Sequence, residues 1–297
     1  MSKKYLVIDV GGTFIKYAVI DDNGNFISKD KCPTPMKGQD DFLNLLEDLY
    51  HQQEEKISGI AISAAGMVDA DRGIMINGGA VRFIRNLPIA KIMSERCGVP
   101  VTVENDAKCA ALAEVWKGAL KECRNGIALI IGTAIGGAVI IDRKVLRGEG
   151  LLAGEFSYMF LDAFDVADRS KALGGWGVPR LIKNVEKRLG RSGGTMPGEE
   201  IFKLADEGDN EVISEIRKYA NVLAVIISNL QVIIAPERFV IGGGISRQPL
   251  LIQMIQEELD NNSQYYFNPI KKPDVVNCEF YNDSNMIGAL YAHLFAS

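Results

Sequence analysis

Asp9-Val10-Gly11-Gly12-Thr13, with Lys16 just beyond, is the first stretch of this sequence with the residue types to hold a phosphate. Glycine at 11 and 12 lets backbone N–H groups approach an anion closely, and Thr13 adds a hydroxyl donor. Asp9, at the end of an apolar strand, is placed to hold water on a Mg²⁺ ion bridging phosphates. The same residues read equally well as a tight hairpin with a capping Asp. Two further glycine loops follow, Gly132-Thr133-Ala134-Ile135-Gly136-Gly137 and Gly242-Gly243-Gly244. Three such loops, two with Thr and each more than a hundred residues from the next, are poorly explained as turns alone. They suit a nucleotide with its phosphates at the first two loops and its adenosine near the third. Asn105-Asp106 stands where a strand meets a helix, and on residue type alone it reads best as an N-cap.

The elements that carry these residues can be read from apolar spacing. Residues 5–10 and 13–20 are two strands around the first glycine pair, and Asp21-Asp22-Asn23-Gly24 is a turn into a third strand at Phe26-Ile27. The glycines therefore sit between two strands, which argues against a Rossmann fingerprint or a P-loop, since both need a helix next. Strands at 59–65 and 100–103 alternate with helices at about 40–55, 89–97 and 107–116, the pattern of an α/β domain. Residues 126–141 then repeat the opening plan of strand, Gly/Thr loop and strand, with Asp142-Arg143-Lys144 as the turn, and an internal duplication accounts for it. Helices near 178–189, 199–206, 211–232, 249–259 and 285–295 and a strand at 237–242 complete the pattern.

Composition narrows the function classes. The 297 residues are 47% hydrophobic and 24% charged, enough apolar content for a large core and too much for a disordered chain. Lys and Arg total 33 against 38 Asp and Glu, a net charge of -5, which argues against nucleic-acid binding. The five cysteines are scattered without a C-x-x-C pair, and only His51 and His293 could assist them, so neither a disulfide framework nor a zinc site is expected. No apolar run is long enough to span a bilayer and the opening residues lack a signal-peptide core, so a cytoplasmic protein is expected.

The stretches IDVGGTFIK, VENDAKCAALAE, IGTAIGGAVI, AGEFSYM and FVIGGG, in this order over nearly the whole chain, resemble the ROK family of sugar kinases. GIAISAAGMVD, INGGAVRF and AGEFSYM are most similar to its β-glucoside kinase branch. The resemblance implies an α/β, two-lobed actin-like ATPase (ribonuclease H-like) sugar kinase fold with a cleft between the lobes. The first lobe would hold 1–118 with 285–297 and the second 119–284. It implies ATP with Mg²⁺, a small-molecule sugar, no nucleic acid, no membrane and a homodimer. Asp106 becomes the catalytic base that takes the proton of the sugar hydroxyl, with Asn105, Glu155, Tyr158 and Gly79 at the substrate. Asp9, Gly11, Gly12, Thr13, Lys16, Gly132, Thr133, Ala134, Gly136, Gly243 and Gly244 fall to ATP, with Asp9 on Mg²⁺ through water.

The sequence departs from the family in ways that bear on substrate. Tyr158 stands where most members have His, and ALGGWGVPR (172–180) replaces the zinc-binding C-x-C-G-x-x-G-C cluster. The Glu that ordinarily contacts the anomeric hydroxyl has no clear counterpart. Together these imply no structural zinc and a pocket that admits a substituent on O1, so phosphorylation of the 6-hydroxyl of a glucosyl unit in a β-glucoside such as cellobiose is expected. Tyr158 would stack on the second ring; Trp176 is better explained as loop packing. Ala134 replaces a family Gly and adds a methyl to the second loop. The rivals are glucokinase, or a kinase for another hexose or amino sugar, and a sugar-sensing repressor. The repressor is disfavoured because the first strand begins at Tyr5, leaving no room for a preceding helix-turn-helix.

Overall fold

The computed structural model describes residues 2–162, 168, 171–263 and 271–295. The chain divides into two compact units, Met1–Gly118 with Gly148–Leu151 and Asn282–Ser297, and Ala119–Arg147 with Leu152–Tyr281. Residues 296–297, assigned to the first lobe from sequence, lie outside the described residues.

In the first unit β1 (Lys4–Val10), β2 (Phe14–Asp21) and β3 (Phe26–Pro33) form the antiparallel meander that the apolar runs require. Asp21 fixes the second turn, its Oδ1 accepting from the backbone N–H of Asn23 (2.9 Å) and Asn25 (2.8 Å). β4 (Ile57–Ala64) and β8 (Val101–Asn105) then join in parallel, giving the order β3-β2-β1-β4-β8. Strand alternation sends Leu6, Ile8 and Val10 to one face, where α1 (Gln39–His51) and α2 (Ile89–Cys97) cover them with Phe42, Leu46 and Met93. Tyr5 and Val7 face the other way, toward Cys109 of α3 (Asp106–Lys117) and Met286 and Leu290 of α8 (Ser284–Phe295). Asp9 shares the parity of Tyr5 and Val7, so its carboxylate faces these two helices.

The second unit repeats this plan. β9 (Gly126–Ile131), β10 (Ile135–Ile141) and β11 (Lys144–Val145) are antiparallel neighbours. β12 (Arg238–Gly242) and β13 (Val275–Asn277) add in parallel, in the order β11-β10-β9-β12-β13. Order and strand directions thus match the first sheet position by position. Asp142 and Arg143 both take positive φ (52° and 64°), the requirement of a two-residue hairpin turn that follows the strand twist. The core is closed by α4 (Val178–Arg188), α5 (Gly198–Asp206), α6 (Asn210–Ile234) and α7 (Pro249–Ser263). Asp209 caps α6 by accepting from the N–H groups of Glu211 and Val212.

A small antiparallel sheet of β5 (Val68–Asp69), β6 (Ile74–Asn77) and β7 (Arg85–Leu87) in the first unit has no counterpart in the sequence reading. Strands of two to four residues carry too little apolar alternation to be legible.

Candidate active site

In the first unit the strand register gathers polar groups into one row. Lys31, Lys16, Asp9, Ser63 and Glu104 are Cα partners across β3, β2, β1, β4 and β8, and registered partners share a face. Asp9 lies in the middle at 7% exposure, far too buried for a merely solvated turn residue. Its Oδ1 accepts from Ser63 Oγ (2.9 Å) and from Asn285 Nδ2 (3.1 Å) at the start of α8, and Oδ2 is 3.8 Å from Lys16 Nζ. These contacts fix the Asp9 carboxyl group at the mouth of the first glycine hairpin. Thr34 closes that hairpin, its Oγ1 donating to the Gly11 carbonyl (2.7 Å) and its N–H to the Thr13 carbonyl (3.0 Å).

The hairpin adjoins the segment that carries Gly79. A Cβ on Gly12 would come within 2.6 Å of the Ala80 methyl, and the Gly79 N–H donates to Asn77 Oδ1 (3.2 Å), which also accepts from Met67 N (3.3 Å). Asn105 links this loop to the catalytic candidate: its Nδ2 donates to the Gly66 carbonyl (2.9 Å) and to Asp106 Oδ1 (3.0 Å). Asn105 Oδ1 accepts from Lys108 N (3.1 Å), so the N-cap reading holds for Asn105. The adjacent Asp106, first residue of α3, is held through Oδ1 by Ala107 N (2.8 Å) as well. Capping and orientation of an acid are thus one arrangement. Cys109, one turn on, is fully buried, and burial first, then the charge of Glu104, pushes its thiol well above the ordinary value. It is a neutral filler and not a nucleophile.

In the second unit the two remaining glycine loops are neighbours. Gly243 has φ of 90°, and a Cβ there would overlap the carbonyl of Ile131, the residue before Gly132. The Gly132 N–H closes its own turn on the Ala134 carbonyl (2.9 Å), and Ala134 has no positive φ, so its backbone is one that a residue with a side chain adopts freely. Behind this hairpin, Val178 N donates to the Gly132 carbonyl (2.8 Å), and Gly177 leaves no space for a Cβ against Thr133. Tyr219, fully buried on α6, donates from its hydroxyl to the Trp176 carbonyl (2.6 Å) and ties this strap to the core. Trp176 packs on Tyr219 and under the Arg180 guanidinium, as loop packing requires.

Glu155 precedes Phe156, which anchors in the core beside Ile135 and Val139 and so fixes the segment against β10. Tyr158 and Phe160 remain 62% and 57% exposed two residues apart, a pair of open aromatic faces of which the sequence reading named only the first. Beyond Gly244 lies a cavity of about 440 Å³, walled by Val178, Leu181, Pro197, Phe202 and Ile245, within the size range of small-molecule sites.

The sequence-read residues divide between the units: Asp9, Gly11, Gly12, Thr13, Lys16, Gly79, Asn105 and Asp106 belong to the first, and Gly132, Thr133, Ala134, Gly136, Glu155, Tyr158, Gly243 and Gly244 to the second. Ser63, Asn285, Asn77 and Thr34 were missed, although each holds a named residue in position. Polar residues inside the apolar run GIAISAA, such as Ser63, were the available signal. Among the described residues no group of three or more His, Cys, Asp or Glu is placed to hold a metal ion, and no helix is long and apolar enough to cross a membrane.

The comparisons with known proteins follow the same outline. The family model described as ROK family matches residues 5–294. A β-glucoside kinase of Klebsiella pneumoniae is 31% identical over 290 residues, covering 97% of this chain and 95% of its own. An N-acetyl-D-glucosamine kinase of Escherichia coli O157:H7 is 27% identical over 305 residues, covering 98% of this chain and 99% of its own. A solved structure of a ROK family protein from Streptococcus pneumoniae TIGR4, in complex with sucrose, matches with a TM-score of 0.87 at 30% identity over 98% of both chains. The duplicated sheet plan is that of the actin-like ATPase fold, and the chain belongs to the ROK family.

Proposed function

We propose that this protein is an ATP-dependent carbohydrate kinase that transfers the γ-phosphoryl group to the 6-hydroxyl of the glucosyl unit of a β-glucoside such as cellobiose. The observation that carries the reading is the fixed carboxylate of Asp106 at a strand-to-helix junction, oriented by Asn105 and Ala107. In this role Asp106 accepts the O6 proton as that oxygen attacks the γ-phosphorus; the bond to the β,γ-bridging oxygen breaks and ADP leaves. Asn105 and Glu155 orient the sugar hydroxyls, a carboxylate being able to accept from two vicinal hydroxyls at once. The hairpins at Gly11–Thr13 and Gly132–Gly136 take the phosphates with Lys16. The adenosine lies in the cavity beside Gly244, whose apolar walls suit a flat base.

Asp9 fits a role toward Mg²⁺: one buried carboxylate anchored by Ser63 and Asn285 is the kind of single protein ligand this ion keeps, through water, beside substrate phosphates. When bound with the nucleotide, Mg²⁺ supplies neutralisation of the phosphate charge.

The β-glucoside specificity rests on three supports: the similar Klebsiella enzyme, the disaccharide held by the similar Streptococcus protein, and the open aromatic faces of Tyr158 and Phe160. The likeness to the Escherichia kinase favours an amino-sugar substrate as a second reading. ADP release with ATP and Mg²⁺ should be compared for cellobiose, glucose and N-acetylglucosamine at matched concentrations. Faster turnover on cellobiose, with phosphate on the non-reducing ring, is the expected result. Preference for either monosaccharide would move the assignment to that sugar and remove Tyr158 from the argument.

A further inference from the structure

The connection from α4 to α5 is organised by a single buried carboxylate. Gly190, Gly193 and Gly194 have φ of 68°, 135° and 66°, and such left-handed turns let consecutive N–H groups converge on one acceptor. That acceptor is Glu186, on the last turn of α4 and 4% exposed. Its Oε1 accepts from Thr195 N (2.9 Å) and Met196 N (2.8 Å), and its Oε2 accepts from Gly194 N. The Glu186 backbone carbonyl accepts from Arg191 N (2.7 Å), and the Arg191 guanidinium donates to Glu200 (2.9 Å) in the first turn of α5. These amides, Met196 first, hold the Glu186 carboxyl below the usual carboxylate range, so it is ionised at neutral pH.

The residues that follow the clasp, Pro197 and Gly198, begin α5 and line the cavity beside Gly244. α4 supplies adjoining lining with Val178 and Leu181, and Glu186 lies on that same helix. One side chain therefore couples two walls of the cavity. Helix propensity alone does not achieve this: α5 is nine residues long, too short to be stable by itself, and Pro197 at its N-cap offers no side-chain bond to its first amides.

We propose that Glu186 is a positioning residue for the nucleotide, its clasp on residues 194–196 setting the first turn of α5 as a wall of the adenosine cavity. The proposal rests on the reading of that cavity as the nucleoside site. Glu186 touches no substrate; it acts through the backbone of Pro197 and Gly198.

Calorimetric titration of ADP into the full-length protein tests it, with KM for the preferred sugar measured on the same samples. Glu186→Gln preserves the shape and the Oε1 acceptor but faces the Gly194 N–H with a second donor, whereas Glu186→Ala leaves all three amides without the carboxylate. Expected is a graded weakening of ADP binding, roughly fivefold for Gln and more for Ala, the size of one or two lost hydrogen bonds, with sugar KM unchanged. Equal ADP affinity in Glu186→Gln and wild type would overturn the role. So would a parallel loss of ADP and sugar affinity, because a defect spread through the protein weakens both sites, whereas a lowered active fraction reduces only the binding stoichiometry and the maximal rate. Gly198→Phe tests the underlying reading separately. A Cβ at 198 has 3.9 Å to Val178, so the larger side chain extends into the cavity and should abolish ADP binding. Undiminished ADP binding in Gly198→Phe would place the nucleoside elsewhere, whatever Glu186 does.

Discussion

Asp106 concentrates the chemistry assigned to this protein into one carboxylate whose geometry can be tested without disturbing the fold. Its Oδ1 already accepts two hydrogen bonds, from Asn105 Nδ2 and Ala107 N, and the helix begins at this residue, where a negative charge is favoured by the macrodipole. Asp106→Asn retains an oxygen for both donors and removes only the proton acceptor. Turnover should therefore fall by about 10²–10⁴-fold, the typical worth of a positioned general base, while the sugar dissociation constant stays near wild type. Rapid-quench measurement of a single turnover on saturating sugar and ATP would check this directly. A rate near wild type would take the base role away from Asp106. Asp9 is held differently, its carboxylate fixed inside the sheet by Ser63 and Asn285 with Lys16 nearby.

Gly177 makes the corresponding argument for an element, the strap of residues 176–178 that backs the second glycine hairpin. A methyl there would overlap the Thr133 carbonyl, which is backbone and cannot swing aside. Gly177→Ala should destabilise the protein by about 1–3 kcal/mol, as overpacking does, and raise KM for ATP more than KM for sugar. Urea melts and steady-state kinetics on one preparation would detect both effects; unaltered ATP kinetics would mean that the hairpin does not depend on its strap. At this scale the sequence was informative where a signal is local. Apolar runs broken by Gly11-Gly12 and by Gly132–Gly137 read directly as strand hairpins, and Gly98, at φ of 69°, ends α2 where the glycine predicts it. The convergence of Lys16, Asp9, Ser63 and Glu104 was not legible, because it depends on the register of strands far apart in the chain. Tyr219 reaching the Trp176 carbonyl, the clasp of Glu186 and the very short strands β5 to β7 are likewise tertiary facts without a periodic trace.

Across the whole molecule, the two units repeat one sheet plan but differ in how they must respond to acid. Both histidines, His51 and His293, belong to the first unit. His51 is exposed on α1, 3.9 Å from Glu47, where a charge matters little to stability. His293 is enclosed: Thr102 Oγ1 lies 2.9 Å from its Nδ1, the Tyr5 ring packs at 5.3 Å, and Gly59 has no side chain because the imidazole fills that space. Burial lowers its pKa below the ordinary value of about 6.5. The neutral ring is therefore the form that folds, and the unfolded chain binds the proton more readily. By linkage the contribution of neutral His293 to the first unit's stability is fully present above about pH 6.5 and is lost progressively as pH falls from there toward the lower folded value. The two tryptophans report the units separately, since Trp116 packs against Tyr291 and Phe295 of α8, the helix of His293, while Trp176 lies in the second unit. In urea melts of Trp176→Phe, the remaining Trp116 signal should lose midpoint between pH 7.5 and 5.5. In Trp116→Phe the Trp176 signal should hold its midpoint over the same range. His293→Gln, which keeps a hydrogen-bonding group for Thr102 but cannot be protonated, should flatten the Trp116 response. A Trp116 midpoint that falls equally with and without His293 would assign the acid sensitivity to carboxylates instead. A Trp176 midpoint that falls in step with it would mean that the units unfold as one body despite their separate cores.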